Sequence, residues 1–232
     1  QCYLKDALQR IKIDLERSER RGYIFCAKLV RGAYMERERS RATELGYASP
    51  IHDSLHDTHE CYNAAVKYLL RRKIEGWENG AMVVHNESDA SKGVKGEWWN
   101  NRSSLAASLE MMCATHNKES LELTIGLMED LGLNGSKVIG ENGTIIDDAA
   151  RRTRQMKSNN GISFAQLYGM SDDLTYPLAE RGCKAYKYVP FGTIQEVIPY
   201  LLRRAQENGD VLGKSNHEVQ LLRDELKRRF YS

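Results

Sequence analysis

The feature that most narrows the fold is a rhythm: a short apolar run, then an amphipathic helix, four times along the 232-residue chain. The apolar runs are 23–30 (YIFCAKLV), 111–114 (MMCA), 162–168 (ISFAQLY) and 184–189 (KAYKYV). Helical spacing of apolar residues follows each, clearest over 56–70, 118–131 and 172–181, with a long helix after the fourth run, and 6–20 precedes the first. Strands that alternate with helices pair in parallel through crossover connections, which gives an α/β barrel or an open doubly wound sheet. Two polar, Gly/Asn-bearing stretches, near 87–102 and 134–161, break the rhythm and are read as insertions, the second with a short helix at 145–156.

Composition excludes several classes. Lys and Arg total 34 against 32 Asp and Glu, a net charge of +2, so bulk charge gives no reason to expect a nucleic-acid partner. No run of about 20 apolar residues is available to cross a membrane. The five cysteines include no CxxC pair, and they are read as reduced thiols without a zinc site or disulfide framework. His52, His56 and His59 have i, i+4, i+7 spacing, but no carboxylate or cysteine completes a metal set, so no metal is assigned. The basic amphipathic stretch 217–230 is read as a terminal helix docked on the domain, with a foot on an anionic membrane surface as the alternative.

Chemistry concentrates at strand ends and on one helix. Lys28-Leu29-Val30-Arg31-Gly32-Ala33-Tyr34 delivers two cations, two small residues that let a large ligand approach the backbone, and an aromatic. In parallel sheets such C-terminal strand ends are where ligands bind. Thr115-His116-Asn117 ends the second run, and Val84-His85-Asn86 competes for that role. The helix after the fourth run starts with a Thr193/Glu196 capping box, contains Pro199 and stops at Asn208-Gly209. Its apolar face is Ile194, Val197, Ile198, Leu201 and Ala205; the opposite face carries Tyr200, Arg203, Arg204 and Glu207. Two Arg forks there can hold a carboxylate. Ordinary Arg–Glu pairs on a solvated face are the competing reading.

Taken in order, KLVRGAY (28–34), ATHN (114–117), QLYGM (166–170), YKYVPFG (186–192) and YLLRRAQENG (200–209), with the opening QCYLKDA, resemble the proline dehydrogenases over nearly the whole chain outside the insertions. The resemblance implies a (β/α)8 TIM-type barrel that holds FAD noncovalently. Gln1 then ends the fourth strand, so residues 1–232 are the C-terminal portion of one barrel domain, a partial barrel that starts there. It implies that Lys28 lies beside the reactive part of the flavin. Gln1, Val30, Arg31, Gly32, Ala33, Thr115, His116, Asn117 and Gln166 are implied as further cofactor contacts. Tyr34, Leu167, Tyr188 and Tyr200 would wall the substrate ring, with Arg203 and Arg204 clamping the carboxylate and Glu207 beside them.

The implied activity is oxidation of L-proline to pyrroline-5-carboxylate with electrons passed to a quinone. The implied location is mitochondrial, peripheral to the matrix side of the inner membrane. Related enzymes resembling hydroxyproline dehydrogenase carry a smaller residue where Tyr188 stands, so Tyr188 favours proline. An inactive barrel fragment or interaction module is the alternative of another class.

Overall fold

A computed structural model describes residues 1–85, 109–131, 133, 161–207 and 212–231. Its elements run α1 (Ala7–Arg21), β1 (Cys26–Leu29), α2 (Met35–Leu45), α3 (Leu55–His85), β2 (Glu110–Ala114), α4 (Lys118–Asp130), β3 (Ile162–Leu167), α5 (Asp172–Glu180), β4 (Lys184–Tyr188), α6 (Ile194–Glu207) and α7 (Leu212–Tyr231). The strands form one sheet in the order β1-β2-β3-β4, every pair parallel. All four apolar runs are therefore strands, and the α/β rhythm is reproduced. The insertions and the helix expected at 145–156 lie almost entirely outside the described residues.

The register sorts the strand side chains into two faces. Leu29, Cys113, Phe164 and Ala185 stand in one row, and Lys28, Met112, Ser163 and Lys184 in the next. Because strand side chains alternate, the first row and its neighbours Met111 and Ile162 point to one side. That side is dry: Leu29, Met111, Cys113, Ile162 and Phe164 are buried with Leu15 of α1, Tyr62, Val66 and Leu69 of α3, and Leu121, Ile125 and Met128 of α4. Each such side chain contributes about 1.5–3 kcal/mol by leaving water. The second row and the alternate residues Leu167, Tyr186 and Tyr188 face the other way, where Tyr186 and Tyr188 remain half-exposed.

The sheet curls toward that open face. β1 and β4 are three strand spacings apart, about 14 Å in a flat sheet. Yet the Lys28 ammonium sits 5.6 Å from the centre of the Tyr188 ring. Two long side chains reaching inward from a curved sheet make this contact, the curvature a barrel requires.

Local chemistry explains the breaks. The helical stretch expected after β1 is two helices, because Gly46 takes the left-handed conformation (φ 69°) that ends α2. The segment that follows returns to the start of the chain, where Leu4 and Ile51 form an antiparallel bridge. Val84 and His85 fall inside α3, which leaves Thr115-His116-Asn117 as the strand-end segment, directly after β2. Gln1 lies in no strand; its carbonyl accepts from Leu4 N–H in a turn. The residues after it run beside the end of β1, with Cys2 N–H donating to Val30 O and Tyr3 N–H to Arg31 O, both at 2.8 Å.

The orientation of α6 inverts a simple amphipathic reading. Val197, Tyr200 and Arg204 are the partly buried residues among its described side chains, while Ile194, Ile198, Leu201 and Leu202 are exposed, Ile194 by 76% and Leu202 by 60%. The contact of Tyr200 with Tyr188 of β4 outranks the apolar stripe here, because among the described residues no second apolar layer covers it.

Candidate active site

Two clusters occupy the C-terminal ends of the strands. The first lies on the open face. Lys28 of β1 stands over Tyr188 of β4 at 5.6 Å. Tyr188 meets Tyr200 of α6 with ring centres 5.8 Å apart and planes tilted by 47°. The Arg204 guanidinium lies 5.4 Å from the Tyr200 ring. Cation, aromatic, aromatic and cation thus form one continuous wall from β1 to α6, each step in the range of ring–ring or cation–π attraction. Thr193 N–H donates to Glu196 Oε2 at 3.4 Å, the capping-box bond that helps define where α6 begins. Leu167 pairs with Tyr188 in the ladder, and its side chain shares the open face. The side chains of Arg203 and Glu207 lie outside the described residues.

The second cluster is centred on Arg31 and is built for rigidity. Its Nε donates to His59 Nδ1 at 2.7 Å, one terminal nitrogen to Thr115 Oγ1 at 2.6 Å and the other to Ser120 Oγ at 2.8 Å. The guanidinium also lies 4.5 Å from the Tyr62 ring. Burial holds the Arg31 pKa below the ordinary arginine value, with Tyr62, Cys2 and Glu119 opposing that fall. Ser120 Oγ in turn donates to Asn63 Oδ1 at 2.7 Å. Asn117 caps α4, its side chain accepting from Ser120 N–H at 2.8 Å, and its own N–H donates to Thr115 Oγ1. One side chain therefore ties the end of β1 to α3, to the end of β2 and to the start of α4.

His116 continues the network to β3. Leu167 N–H donates to His116 Nε2 at 3.2 Å, so in the neutral ring the proton resides on Nδ1, 2.9 Å from Ser171 Oγ. Ser171 has φ 55°, unusual for a residue with a Cβ, at the turn into α5. Gln166 is buried on the helix side of the sheet, where its amide donates to Thr115 O at 3.4 Å and its carbonyl accepts from Thr175 Oγ1 at 3.1 Å. Its side chain is not in the Lys28–Tyr188 cluster.

The loop after β1 differs from expectation in one respect. Gly32 has φ 125°, and a Cβ added there would fall 1.6 Å from the Tyr3 ring. The missing side chain makes room for Tyr3 of the chain itself. Tyr34 stands at the N-cap position of α2, its side chain making no capping bond, and is 40% exposed. Tyr3, His59, Tyr62, Asn63, Ser120 and Ser171 complete the site; His59 is marked in the sequence only by its spacing with His52 and His56, and no local signal marks the others as partners of Arg31 or His116.

Fold and site together define a class: parallel α/β chains of the barrel kind, with their polar constellation at the C-terminal strand ends. The comparisons are specific. The family model described as "Proline dehydrogenase" matches residues 1–145 and 142–217, and the chain belongs to the proline dehydrogenase family.

It is 34% identical over 229 residues to "Proline dehydrogenase 1, mitochondrial" of Drosophila melanogaster, covering 99% of this chain and 27% of that protein. The Homo sapiens protein of the same name is 34% identical over 229 residues, covering 99% of this chain and 30% of that protein. "Hydroxyproline dehydrogenase" of Xenopus laevis is 33% identical over 232 residues, covering 100% of this chain and 39% of that protein. Among solved structures, proline utilization A (PutA) from Bdellovibrio bacteriovorus aligns with a TM-score of 0.60 at 22% identity, covering 90% of this chain and 16% of that one. That likeness shows the fold, a parallel α/β arrangement of the (β/α)8 kind. The chain spans roughly a third of the length of these curated relatives.

Proposed function

We propose that this chain supplies the substrate wall and part of the flavin cradle of an FAD-dependent dehydrogenase that oxidises L-proline to pyrroline-5-carboxylate and passes electrons to a quinone. The carrying observation is the wall from Lys28 through Tyr188 and Tyr200 to Arg204, on the sheet face that the described helices leave open. A small zwitterion needs a cation for its carboxylate and aromatic surface for its ring, and this wall presents both.

Flavin is tested by the donor set. Lys28 is exposed on the open face at the end of β1, which suits a cation beside a ring that gains negative charge. Val30 and Ala33 flank it on the loop. Arg31, Thr115, Asn117 and Gln166 are hydrogen-bonded to their own chain, so their support for a cofactor is to fix the strand ends. When bound, the flavin supplies the acceptor for a hydride. Arg204, with Arg203 beside it in sequence, anchors the carboxylate; Tyr188, Tyr200, Tyr34 and Leu167 enclose the ring and exclude water; Lys28 holds positive charge at the strand end. Orientation and electrostatics are thus the chain's share of the chemistry.

Tyr188 favours proline over hydroxyproline, because a ring hydroxyl needs room where this phenol projects. The names of the relatives support a mitochondrial location. α7 exposes Val219, Leu222, Leu226 and Phe230 along one stripe, with Arg223 and Lys227 between them. That pattern supports peripheral attachment to the matrix side of the inner membrane. Among the described residues no helix is long and apolar enough to cross a membrane.

The test is anaerobic addition of L-proline to the full-length protein. Flavin absorbance present before addition and bleached by proline, with slower or no bleaching by hydroxyproline, is the expected result. A protein without flavin absorbance, or a flavin that proline leaves oxidised, overturns the reading.

A further inference from the structure

The Arg31 loop is flanked by a pair of thiols that the proposed oxidation does not use. Cys2 is fully buried, and Cys61, on the second turn of α3, is partly exposed and packs against the same core. Three segments distant in sequence converge on them. Residues 2–3 hydrogen-bond to Val30 and Arg31; Tyr3 O accepts from His52 N–H at 2.9 Å; and Lys5 N–H donates to Pro50 O at 2.9 Å. This packs Cys61 against the buried cluster that contains Cys2, where each thiol is the first influence on the other and His52 also acts on Cys61. The His52 Nε2 is buried and has no hydrogen-bond partner among the described residues.

We propose that Cys2 and Cys61 form a dithiol that a low-molecular-weight disulfide such as glutathione disulfide oxidises reversibly, Cys61 attacking first and Cys2 resolving. The asymmetry follows from position. Cys61 is the partly exposed residue of the two, whereas Cys2 is sealed from any bulky oxidant. The shared environment reinforces it: the Cys2 thiol holds Cys61 below the ordinary thiol range, burial opposes this, and His52 adds to the lowering. Cys2 is pushed up, by Cys61 first and by burial second. The thiolate is the nucleophile in such exchange.

In the first step the Cys61 thiolate forms a bond to one sulfur of glutathione disulfide, and the S–S bond of glutathione breaks to release a glutathione thiolate. The released glutathione takes a proton from solvent, and Cys2 gives up its own to solvent as its sulfur becomes the attacking thiolate. The Cys2 sulfur then attacks the Cys61 sulfur of the mixed disulfide and expels the second glutathione. Two protein thiols are oxidised to one disulfide while one glutathione disulfide is reduced to two thiols. The new bond would tie the segment that backs Val30, Arg31 and Gly32 to α3.

The experiment uses the reduced full chain, incubated with glutathione disulfide, quenched by alkylation and read by mass spectrometry. Cys2, Cys26 and Cys61 fall on separate tryptic peptides, 1–5, 22–28 and 42–67. The expected product is a 1–5/42–67 cross-link that dithiothreitol reverses. Cys2→Ser should convert it to a glutathione adduct on Cys61, formed several-fold faster than any adduct on the exposed Cys26. Cys61→Ser should leave Cys2 unmodified. In unmutated protein, brief iodoacetamide treatment should label Cys61 ahead of Cys26, a readout independent of how the variants fold. Labelling of Cys26 before Cys61, or a cross-link that joins either cysteine to a different partner, overturns the proposal.

Discussion

Replacing Arg31 with Met removes a strut, and the structure sets the size of the loss. Three hydrogen bonds from one cation disappear, to His59, Thr115 and Ser120, together with the contact to Tyr62. Bonds to a charged group are worth about 1.5–3 kcal/mol each. Two effects reduce the sum. The buried guanidinium was itself desolvated at a cost, and both hydroxyls keep a partner, Asn117 N–H for Thr115 and Asn63 for Ser120. The net is about 3 kcal/mol. With a urea m-value of about 3 kcal/mol/M for a chain this size, the unfolding midpoint should fall by about 1 M. Arg31→Lys should lie between, because an ammonium cannot span three acceptors placed for a fork. Urea titration without added flavin is the assay. A midpoint that moves by less than about 0.2 M would refute the strut and leave Arg31 free to serve the cofactor alone.

Three further outcomes follow from single contacts. Gly32→Ala should destabilise by more than about 3 kcal/mol, since it combines a forbidden φ with a clash against the Tyr3 ring; adding Tyr3→Ala should recover part of the loss in a double-mutant cycle. Lys73 is 2% exposed and donates to Leu109 O at 2.6 Å. Burial lowers its pKa from 10.5 to about 8, with Glu110 opposing. The folded chain therefore sheds this proton before the unfolded chain does, so stability should rise with pH between about 8 and 10.5, by about 3 kcal/mol. Lys73→Met should abolish that rise when urea midpoints are compared at pH 7.5 and 10.5; parallel pH profiles for the two proteins would contradict it. Phe164→Ala, deep under α3 and α4, should cost about 3–5 kcal/mol in the same titration.

Much of this architecture was legible in the residues. YIFCAKLV, MMCA, ISFAQLY and KAYKYV each contain a strand, because short apolar runs bounded by polar turns and followed by helical spacing can satisfy their backbone only in a parallel sheet. Lys28, Tyr188, Tyr200 and Arg204 could be named from ordered motifs, and the structure assembles those four. The Arg31 network was not legible. It joins residues 28, 84 and 89 positions apart, and nothing local to His59 or Ser120 announces a guanidinium partner. The sequence marks Gly32 as a small residue at a strand end, but not that the Tyr3 ring, brought in by the turn at residues 1–4, takes the direction a side chain would have. The exposed stripe of α6 also escaped a reading by periodicity, which reports that Ile194, Ile198 and Leu201 share a face but not what that face meets.

The most direct measurement is the KM for L-proline of the full-length enzyme carrying Arg204→Met, with flavin content determined on the same sample. Loss of a charge-assisted carboxylate contact should raise KM by about 10–100-fold, with flavin occupancy unchanged. An unaltered KM, or loss of flavin in place of substrate affinity, would contradict an open sheet face that holds its substrate through the arginine of α6.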